Sequence, residues 1–155
     1  VLEDVECKRE VARAEEHLEL AISESSAIIE HGELPVVRAD RTQMFQLFLN
    51  LIGNALKFRG SQQPKISIDA TEHPGFWEFS VSDNGIGIEP AYTEKIFSEF
   101  QRLNPNDEYP GTGIGLSVCQ KVVAIHGGKI WAESEAGEGS TFRFQISKNI
   151  RLRGR

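Results

Sequence analysis

The chain has few cysteines, no long apolar run and no excess of positive charge. Its two cysteines, Cys7 and Cys119, are too few for a zinc site and lack CxxC spacing. No segment approaches the ~18 apolar residues that a membrane span requires, and no signal-peptide pattern opens the chain. The formal net charge of -6 argues against nucleic acid or a membrane surface as a direct partner. We therefore expect reduced thiols and a cytoplasmic location, with any membrane anchor elsewhere in the parent protein.

The composition is that of one soluble globular domain. The chain has 155 residues, of which 39% are hydrophobic and 26% charged. A chain of this length can bury a hydrophobic core without disulfide bonds or a structural metal ion. We find no internal repeat. Residues 1–148 are assigned to the domain and residues 149–155 to a basic C-terminal tail.

Helical and strand patterns alternate along the chain. Asp40 is placed to cap a long apolar helix, and Gln43 completes a capping-box pattern. The residues from Lys65 to Thr71 alternate between apolar and polar, as in a half-buried strand. The patterns predict helices at 10–24, 40–58, 90–100 and 114–126, and strands at 27–30, 34–38, 65–71, 76–82, 129–134 and 141–146. With at least two hairpin-like strand pairs, this order favours an α/β sandwich, one helical layer on one mixed sheet.

Residues 101–113 form a polar segment with two prolines, two glycines and no periodicity. The segment predicts a long loop. Loops of this length within a compact domain are usually functional and are often lids over a site.

The predicted helix at residues 40–58 carries one polar stripe on an otherwise apolar surface. Gln46, Asn50, Asn54 and Lys57 recur at helical spacing. One interpretation is the solvent side of a surface helix. However, such a side usually carries Glu and Lys, whereas asparagine is a poor helix former. We favour the interpretation that the stripe serves a site.

Two glycine-containing segments also indicate a ligand. Residues 83–88 (DNGIGI) follow a strand; they suit a turn, but two glycines also let a flat ligand approach the backbone. Asp83 at the strand end needs a hydrogen-bond donor. Residues 111–116 (GTGIGL) open a helix, whose free N–H groups form an anion site. They match neither a Walker A loop nor a dinucleotide fingerprint.

Together, five segments resemble the ATP-binding catalytic domain of sensor histidine kinases. Residues 50–58 (NLIGNALKF) are similar to the N box, 83–88 to the G1 box and 96–102 (IFSEFQR) to the F box. Residues 111–116 are similar to the G2 box, and 137–142 (GEGSTF) to the closing glycine motif. They stand in the order and spacing of the family across nearly the whole chain. The amino-acid sequence of the predicted lid resembles that of bacterial phytochrome-like and PAS-linked sensor kinases.

The resemblance implies a Bergerat ATP fold: about five strands in a mixed sheet, covered on one face by about three helices, with an ATP lid. It implies ATP and Mg²⁺ as cofactors. Asp83 would accept the adenine amino group, Asn54 would bind Mg²⁺, and Lys57 and Arg102 would meet the phosphates. Gly85 and Gly87 would shape the base pocket, Gly113 and Gly115 would cradle phosphates, and Thr141 would lie near adenine. The other implied nucleotide-site residues are Asn50, Phe58, Ile88, Phe100, Gly111, Thr112, Ile114 and Leu116.

The phosphate-accepting histidine of such kinases lies in a separate motif that this chain lacks. Neither a basic residue nor proline follows His17 at the required spacing, and His31 and His73 occupy predicted turns. His126 ends a predicted helix, where it interacts well with the helix dipole. We expect the chain to begin just after the dimerisation helices, to bind ATP, and not to autophosphorylate by itself.

The resemblance implies the catalytic half of a protein-histidine kinase, with two partners: the dimerisation and phosphoacceptor domain, and a response-regulator receiver domain. The parent is expected to be a homodimer and this domain a monomer. A second hypothesis is a non-catalytic, ATP-responsive interaction module. A third is a relative on the same fold, such as an anti-sigma serine kinase, a chaperone or a type II topoisomerase ATPase. The F box and the lid length favour the kinase.

Overall fold

The described part of the chain places α-helices against one face of a mixed sheet. The computed structural model describes residues 1–88, 93, 95–97, 114–134 and 137–149. In order, its elements are β1 (Glu3–Glu6), α1 (Cys7–His17), α2 (Glu19–Ser25), β2 (Ile28–His31), β3 (Val36–Ala39), α3 (Arg41–Lys57), β4 (Lys65–His73), β5 (Phe76–Asp83), a 3-10 turn (Lys95–Phe97), α4 (Ile114–Ile125), β6 (Ile130–Ser134) and β7 (Ser140–Ser147). None of the helices in these ranges is both long and apolar enough to cross a bilayer.

The main sheet has five strands in the order β2-β4-β5-β7-β6. The β2 strand runs parallel to β4, whereas the other neighbours are antiparallel. The hairpins β4–β5 and β6–β7 confirm the two predicted hairpin pairs, and the α/β sandwich is confirmed. The predicted lid and most of the predicted helix at 90–100 lie outside the described residues.

The third strand joins a small second sheet instead of the main one. The β3 strand pairs with β1, and Val37 lies opposite Val5 with both side chains buried. The sequence does not predict β1, because four residues with one buried side chain are too few to show alternation. This small sheet brings the chain to the start of α3.

The helix predicted at 10–24 is two helices. The structure starts α1 at Cys7 and breaks the helix at Leu18, whose φ and ψ of -105° and 14° leave the α region. The Leu18 side chain packs beside Gly53 of α3. Since apolar residues continue through the break without glycine or proline, periodicity alone could not locate it.

Aromatic packing joins α3 to the centre of the sheet. The Phe48 ring meets Phe79 and Phe144 edge to face, at centroid distances of 5.9 and 5.8 Å, and those two rings stack at 4.8 Å. All three side chains are fully buried. Phe79 and Phe144 therefore lie on the helical face of the sheet, the side that packs against the helices. Since side chains alternate between the two faces along a strand, this fixes the face of every other residue in β5 and β7.

The N-terminus of α3 is capped as predicted, but with a different second partner. Asp40 Oδ1 accepts from the Gln43 backbone N–H at 3.0 Å. In a capping box the Gln43 side chain would return to the Asp40 N–H, but that N–H donates to His126 Nε2 at 3.1 Å. The His126 Nδ1–H donates to the Val122 carbonyl at 2.8 Å. Fully buried His126 therefore ties the end of α4 to the start of α3.

Replacement of His126 should test this tie. We expect His126→Phe, which keeps the ring but removes both nitrogens, to lower the free energy of unfolding by about 2 kcal/mol, because the Asp40 N–H loses its acceptor. Urea unfolding measures the change. Substitution of exposed His31 by Gln is the control and should change stability by less than about 0.5 kcal/mol. A His126→Phe domain as stable as the wild type would contradict the assigned role.

Both thiols are buried and unpaired, as expected for reduced cysteines. Cys7 and Cys119 are fully shielded from solvent and form no disulfide. Burial raises the pKa of each thiol to about 12. Each cysteine therefore acts as a small apolar core residue near neutral pH.

Candidate nucleotide-binding site

A cleft opens between the end of α3 and the adjoining ends of β5 and β7. Antiparallel pairing puts the last residue of β5, Asp83, opposite the first residue of β7, Ser140. The end of α3 closes the other side. The cleft is lined by Asn54, Phe58, Asp83, Gly87, Ile88, Ser140 and Phe142. Five of these seven residues were predicted from the sequence; Ser140 and Phe142 were not.

Asp83 is held in place by two hydrogen bonds from the protein. Its Oδ1 accepts from the Gly85 N–H at 2.8 Å, and its Oδ2 accepts from the Ser140 hydroxyl at 3.0 Å. Burial raises the pKa of the Asp83 carboxyl, and these hydrogen bonds oppose that rise. Because each carboxylate oxygen has a second lone pair, Asp83 can still accept a hydrogen bond from a ligand.

Gly85 allows the loop after β5 to pack directly on the end of α3. A methyl group at Gly85 would lie 2.5 Å from the Phe58 carbonyl oxygen and 2.9 Å from Asp83 Oδ1. The same Phe58 carbonyl accepts from the Ile86 N–H at 3.1 Å. The glycine therefore serves close packing between backbones as well as the shape of the cleft.

Thr141 and its neighbour Ser140 lie on opposite faces of β7. Thr141 was expected near adenine, but its hydroxyl bonds the Ser82 hydroxyl at 2.9 Å. Thr141 alternates with Ser140 and Phe142, which line the cleft, so it lies on the sheet face away from the helices. Within this motif it is Ser140, which pairs with Asp83, that lines the described cleft, and a contact between Thr141 and adenine stays a prediction.

The polar stripe of α3 divides between two surroundings. Asn54 lines the cleft, and the Lys57 side chain is exposed one turn further on. Asn50 instead donates to the Gly115 carbonyl at 3.4 Å. Asn50 thus joins α3 to the start of α4, whereas Asn54 faces the ligand space.

The second glycine segment is described only from Ile114 onward, where α4 begins. Gly115 lies next to Asn50, and Leu116 is buried in the core instead of facing the cleft. The side chain of Ile114 is outside the described structure. The predicted site residues that also lie outside the described residues are Phe100, Arg102, Gly111, Thr112 and Gly113.

The loop after β5 is also held by side chains that no pattern in the sequence indicated. Asn84 Nδ2 donates to the Gln63 carbonyl at 3.0 Å, and Asn84 Oδ1 accepts from the Lys65 N–H at 2.9 Å. Ser134 Oγ accepts from the Ile88 N–H. These contacts join segments distant in sequence, so no local pattern could reveal them.

Residues 39–150 match the profile of the family described as histidine kinase-, DNA gyrase B-, and HSP90-like ATPase. The chain belongs to this family. Among family members, the chain is 48% identical over 150 residues to cyanobacterial phytochrome A from Nostoc sp., covering 97% of this chain and 20% of that relative. The chain therefore spans about a fifth of that protein. This similarity confirms the predicted resemblance to phytochrome-like kinases.

Solved structures of family members agree with the fold. The catalytic domain of histidine kinase ThkA matches with a TM-score of 0.80 and 30% identity, covering 96% of each chain. A structure of ThkA in complex with the response regulator TrrA matches with a TM-score of 0.76 and 28% identity, covering 96% of this chain and 42% of that one. Within the family, the chain is an ATP-binding catalytic domain of the sensor histidine kinase type.

Proposed function

We propose that the cleft binds ATP with Mg²⁺ and presents the γ-phosphoryl group to a histidine on a separate dimerisation domain. The observation that carries the proposal is Asp83, a partly buried carboxylate fixed at the floor of the cleft by Gly85 and Ser140. A fixed acceptor at a strand end suits the amino group of adenine. Gly87 and Ile88 line the space beside it, where a flat base would lie.

The phosphate side of the site is assigned to the end of α3. Asn54 faces the cleft with a neutral amide, which fits Mg²⁺ because this ion takes few protein ligands and completes its shell with phosphate oxygens and water. When bound, Mg²⁺ would neutralise phosphate charge. Lys57, whose side chain is exposed, is proposed to attract the phosphates, and Arg102 is proposed to reach the γ-phosphate. Gly113 and Gly115 are proposed to let phosphates approach the start of α4.

The described histidines support an acceptor on another domain. His126 is buried and uses both ring nitrogens within the fold. His17 packs against the Phe45 ring at 5.0 Å, and His73 stacks on Phe76 at 4.7 Å. These structural settings agree with the expectation that the isolated chain does not autophosphorylate. Stable phosphohistidine on this chain after incubation with labelled ATP would contradict it.

We further propose that the parent kinase transfers the phosphoryl group to the receiver domain of a response regulator in the cytoplasm. The similarity to ThkA, solved with the response regulator TrrA, supports this partner. Parent dimerisation is assigned to the helices of the phosphoacceptor domain, and this domain is proposed to be monomeric alone. The alternative, a non-catalytic ATP-responsive module, predicts ATP binding without phosphorylation of a dimerisation domain added in trans.

Calorimetric titration tests the proposed ligand. ATP should bind better than GTP, and more tightly with Mg²⁺ than without it. No binding at millimolar ATP would contradict the proposal. A cognate dimerisation domain added in trans then separates the kinase from the non-catalytic module, since only the kinase labels its histidine.

Substitution of Asn54 tests the metal assignment. We expect Asn54→Ala to lower the affinity for Mg²⁺-ATP about tenfold while changing metal-free ATP by less than about twofold, because one metal ligand is lost. Asn50→Ala is the matched comparison on the same stripe. Because Asn50 contacts α4, it should affect both ligand forms equally. Equal losses for both forms in Asn54→Ala would remove Asn54 as the metal ligand.

A further inference from the structure

Ser134, the last residue of β6, connects two loops at the edge of the cleft. Its hydroxyl oxygen accepts from the Ile88 backbone N–H at 2.6 Å, and the hydroxyl donates to the Gly139 carbonyl at 2.8 Å. In the β6–β7 register Ser134 lies opposite Ser140, which faces the cleft and bonds Asp83. Ser134 therefore lies on the helical face of the sheet, next to the base side of the proposed site.

The segment that Ser134 holds has no helix or strand of its own. Residues 84–88 leave β5 as a loop, yet Gly87 and Ile88 line the cleft. In the middle of this segment, the Ile86 N–H donates to the carbonyl of Phe58, the residue that follows the end of α3. On the other side, the Ile86 carbonyl accepts from the Gly137 N–H. The Ser134 hydroxyl supplies a further attachment at Ile88, two residues along the chain.

The hydroxyl group is well suited to this position because it can donate and accept at once. The Ile88 N–H needs an acceptor, and the Gly139 carbonyl can take a donor; one side chain satisfies both. Removal of the hydroxyl would leave Ile88 and Gly139 without this bridge. Ile88 is itself 5% exposed, so its amide would not simply turn to water.

We propose that Ser134 is a positioning residue for the nucleotide base: it locks the loop after β5 against the β6–β7 turn, and so fixes the wall of the cleft facing the base. This inference rests on the proposed ATP site. Ser134 touches the loop and not the phosphate side, where Asn54 and Lys57 lie. Loss of the Ser134 hydroxyl should therefore also weaken the binding of adenine nucleotides that carry fewer phosphates than ATP.

Ser134→Ala, Ser134→Thr and a control, Ser67→Ala, test the proposal. Ser67 is an exposed serine in β4, so its substitution reports the general effect of losing a strand serine. The first measurement is amide hydrogen exchange by NMR on the ligand-free protein. In Ser134→Ala the Ile88 amide should exchange at least about tenfold faster, while the core amides of Val81 and Phe142 keep their wild-type rates.

The second measurement is the dissociation constant for ADP without metal. Ser134→Ala should weaken ADP binding about tenfold at unchanged stoichiometry, and Ser134→Thr should recover most of the loss because it retains a hydroxyl. Ser67→Ala should bind ADP like the wild type. Wild-type ADP affinity in Ser134→Ala, or an unchanged Ile88 exchange rate, would overturn the inference. If Ser134→Ala does not fold, Ser134→Cys makes the same comparison with a weaker donor and acceptor.

Nucleotide binding by the wild-type domain distinguishes failure of this inference from failure of the proposed function on which it rests. Failure of the wild-type domain to bind ADP or ATP would overturn the proposed function itself. Binding by the wild type with no change in Ser134→Ala would leave the function standing and remove only the role of Ser134.

Discussion

Asp83→Asn is expected to lower ATP affinity by about 2–4 kcal/mol, the largest binding effect of any single substitution that we predict. The variant amide can keep the acceptor at Oδ1 that holds the Gly85 N–H, and the Ser140 hydroxyl can rotate to accept from the new NH₂ group. The loop should therefore keep its shape. However, the NH₂ group is a donor and takes the place of the acceptor Oδ2. It would face the amino group of the ligand, which is also a donor, so no hydrogen bond could form between them.

Calorimetry on Asp83→Asn measures this loss, and Asp69→Asn serves as the control. Asp69 lies in β4 with an exposed side chain, so its substitution makes the same charge change away from the cleft. It should bind ATP within about twofold of the wild type. ATP affinity equal to that of the wild type in Asp83→Asn would show that this carboxylate does not recognise adenine.

Because the pKa of the Asp83 carboxyl is raised, we also expect the affinity for ATP to depend on pH. As the pH falls through that pKa, the carboxylate gains a proton and loses acceptor capacity, so ATP affinity should fall. Because burial raises the pKa, the fall begins at a higher pH than for an ordinary aspartate. Asp83→Asn cannot titrate, so the affinity ratio between the wild type and the variant should narrow in acid. This loss of ATP affinity in acid would not result from unfolding caused by Asp83. Protonation of Asp83 stabilises the folded state, because it removes the cost of burying the charge.

Gly139→Ala is expected to cause the largest loss of stability among the predictions, about 3 kcal/mol or more. Gly139 has a φ of +86°, which already disfavours alanine. In addition, its methyl group would overlap the Asp83 carbonyl oxygen and lie 2.9 Å from the Asn84 Cα. Both contacts are with backbone at the end of β5, so the strand itself must shift.

Gly137→Ala separates the two contributions. Gly137 has nearly the same φ, +85°, but no residue that the structure describes comes within 4 Å of the position of a methyl group there. It should cost only the conformational part, about 1 kcal/mol. Urea unfolding of both variants gives the difference. Equal costs would show that the contact with Asp83 carries no penalty, and would contradict the close approach seen at Gly139.

The sequence predicted the elements that carry their own periodicity. Asp40 and the apolar residues of α3 define its start and its buried side, and β4 alternates between buried and exposed residues along its first half. Asp83 could be assigned because a carboxylate at the end of an apolar strand requires a partner. These features depend on residues close together in the chain, so a single sequence suffices to find them.

Features that depend on pairing between distant residues were missed or misplaced. Ser140 was not predicted to line the cleft, because the motif does not show which of two adjacent residues faces the helices; the register with Asp83 decides this. The role of Ser134 in holding Ile88 crosses 46 positions of sequence. The replacement of the predicted Gln43 contact by His126 crosses 86. The sequence around each residue does not indicate such contacts, because many polar residues at either position could form an equivalent hydrogen bond.

The two buried thiols make the domain convenient for site-specific labelling. Maleimides and similar reagents attack the thiolate, and neither Cys7 nor Cys119 supplies it near neutral pH, given their burial and pKa values of about 12. A cysteine introduced on the solvent face of the sheet, for example at Ser67, would thus be the preferred attachment point for a fluorophore. Nucleotide binding could then be followed optically without first removing the native cysteines.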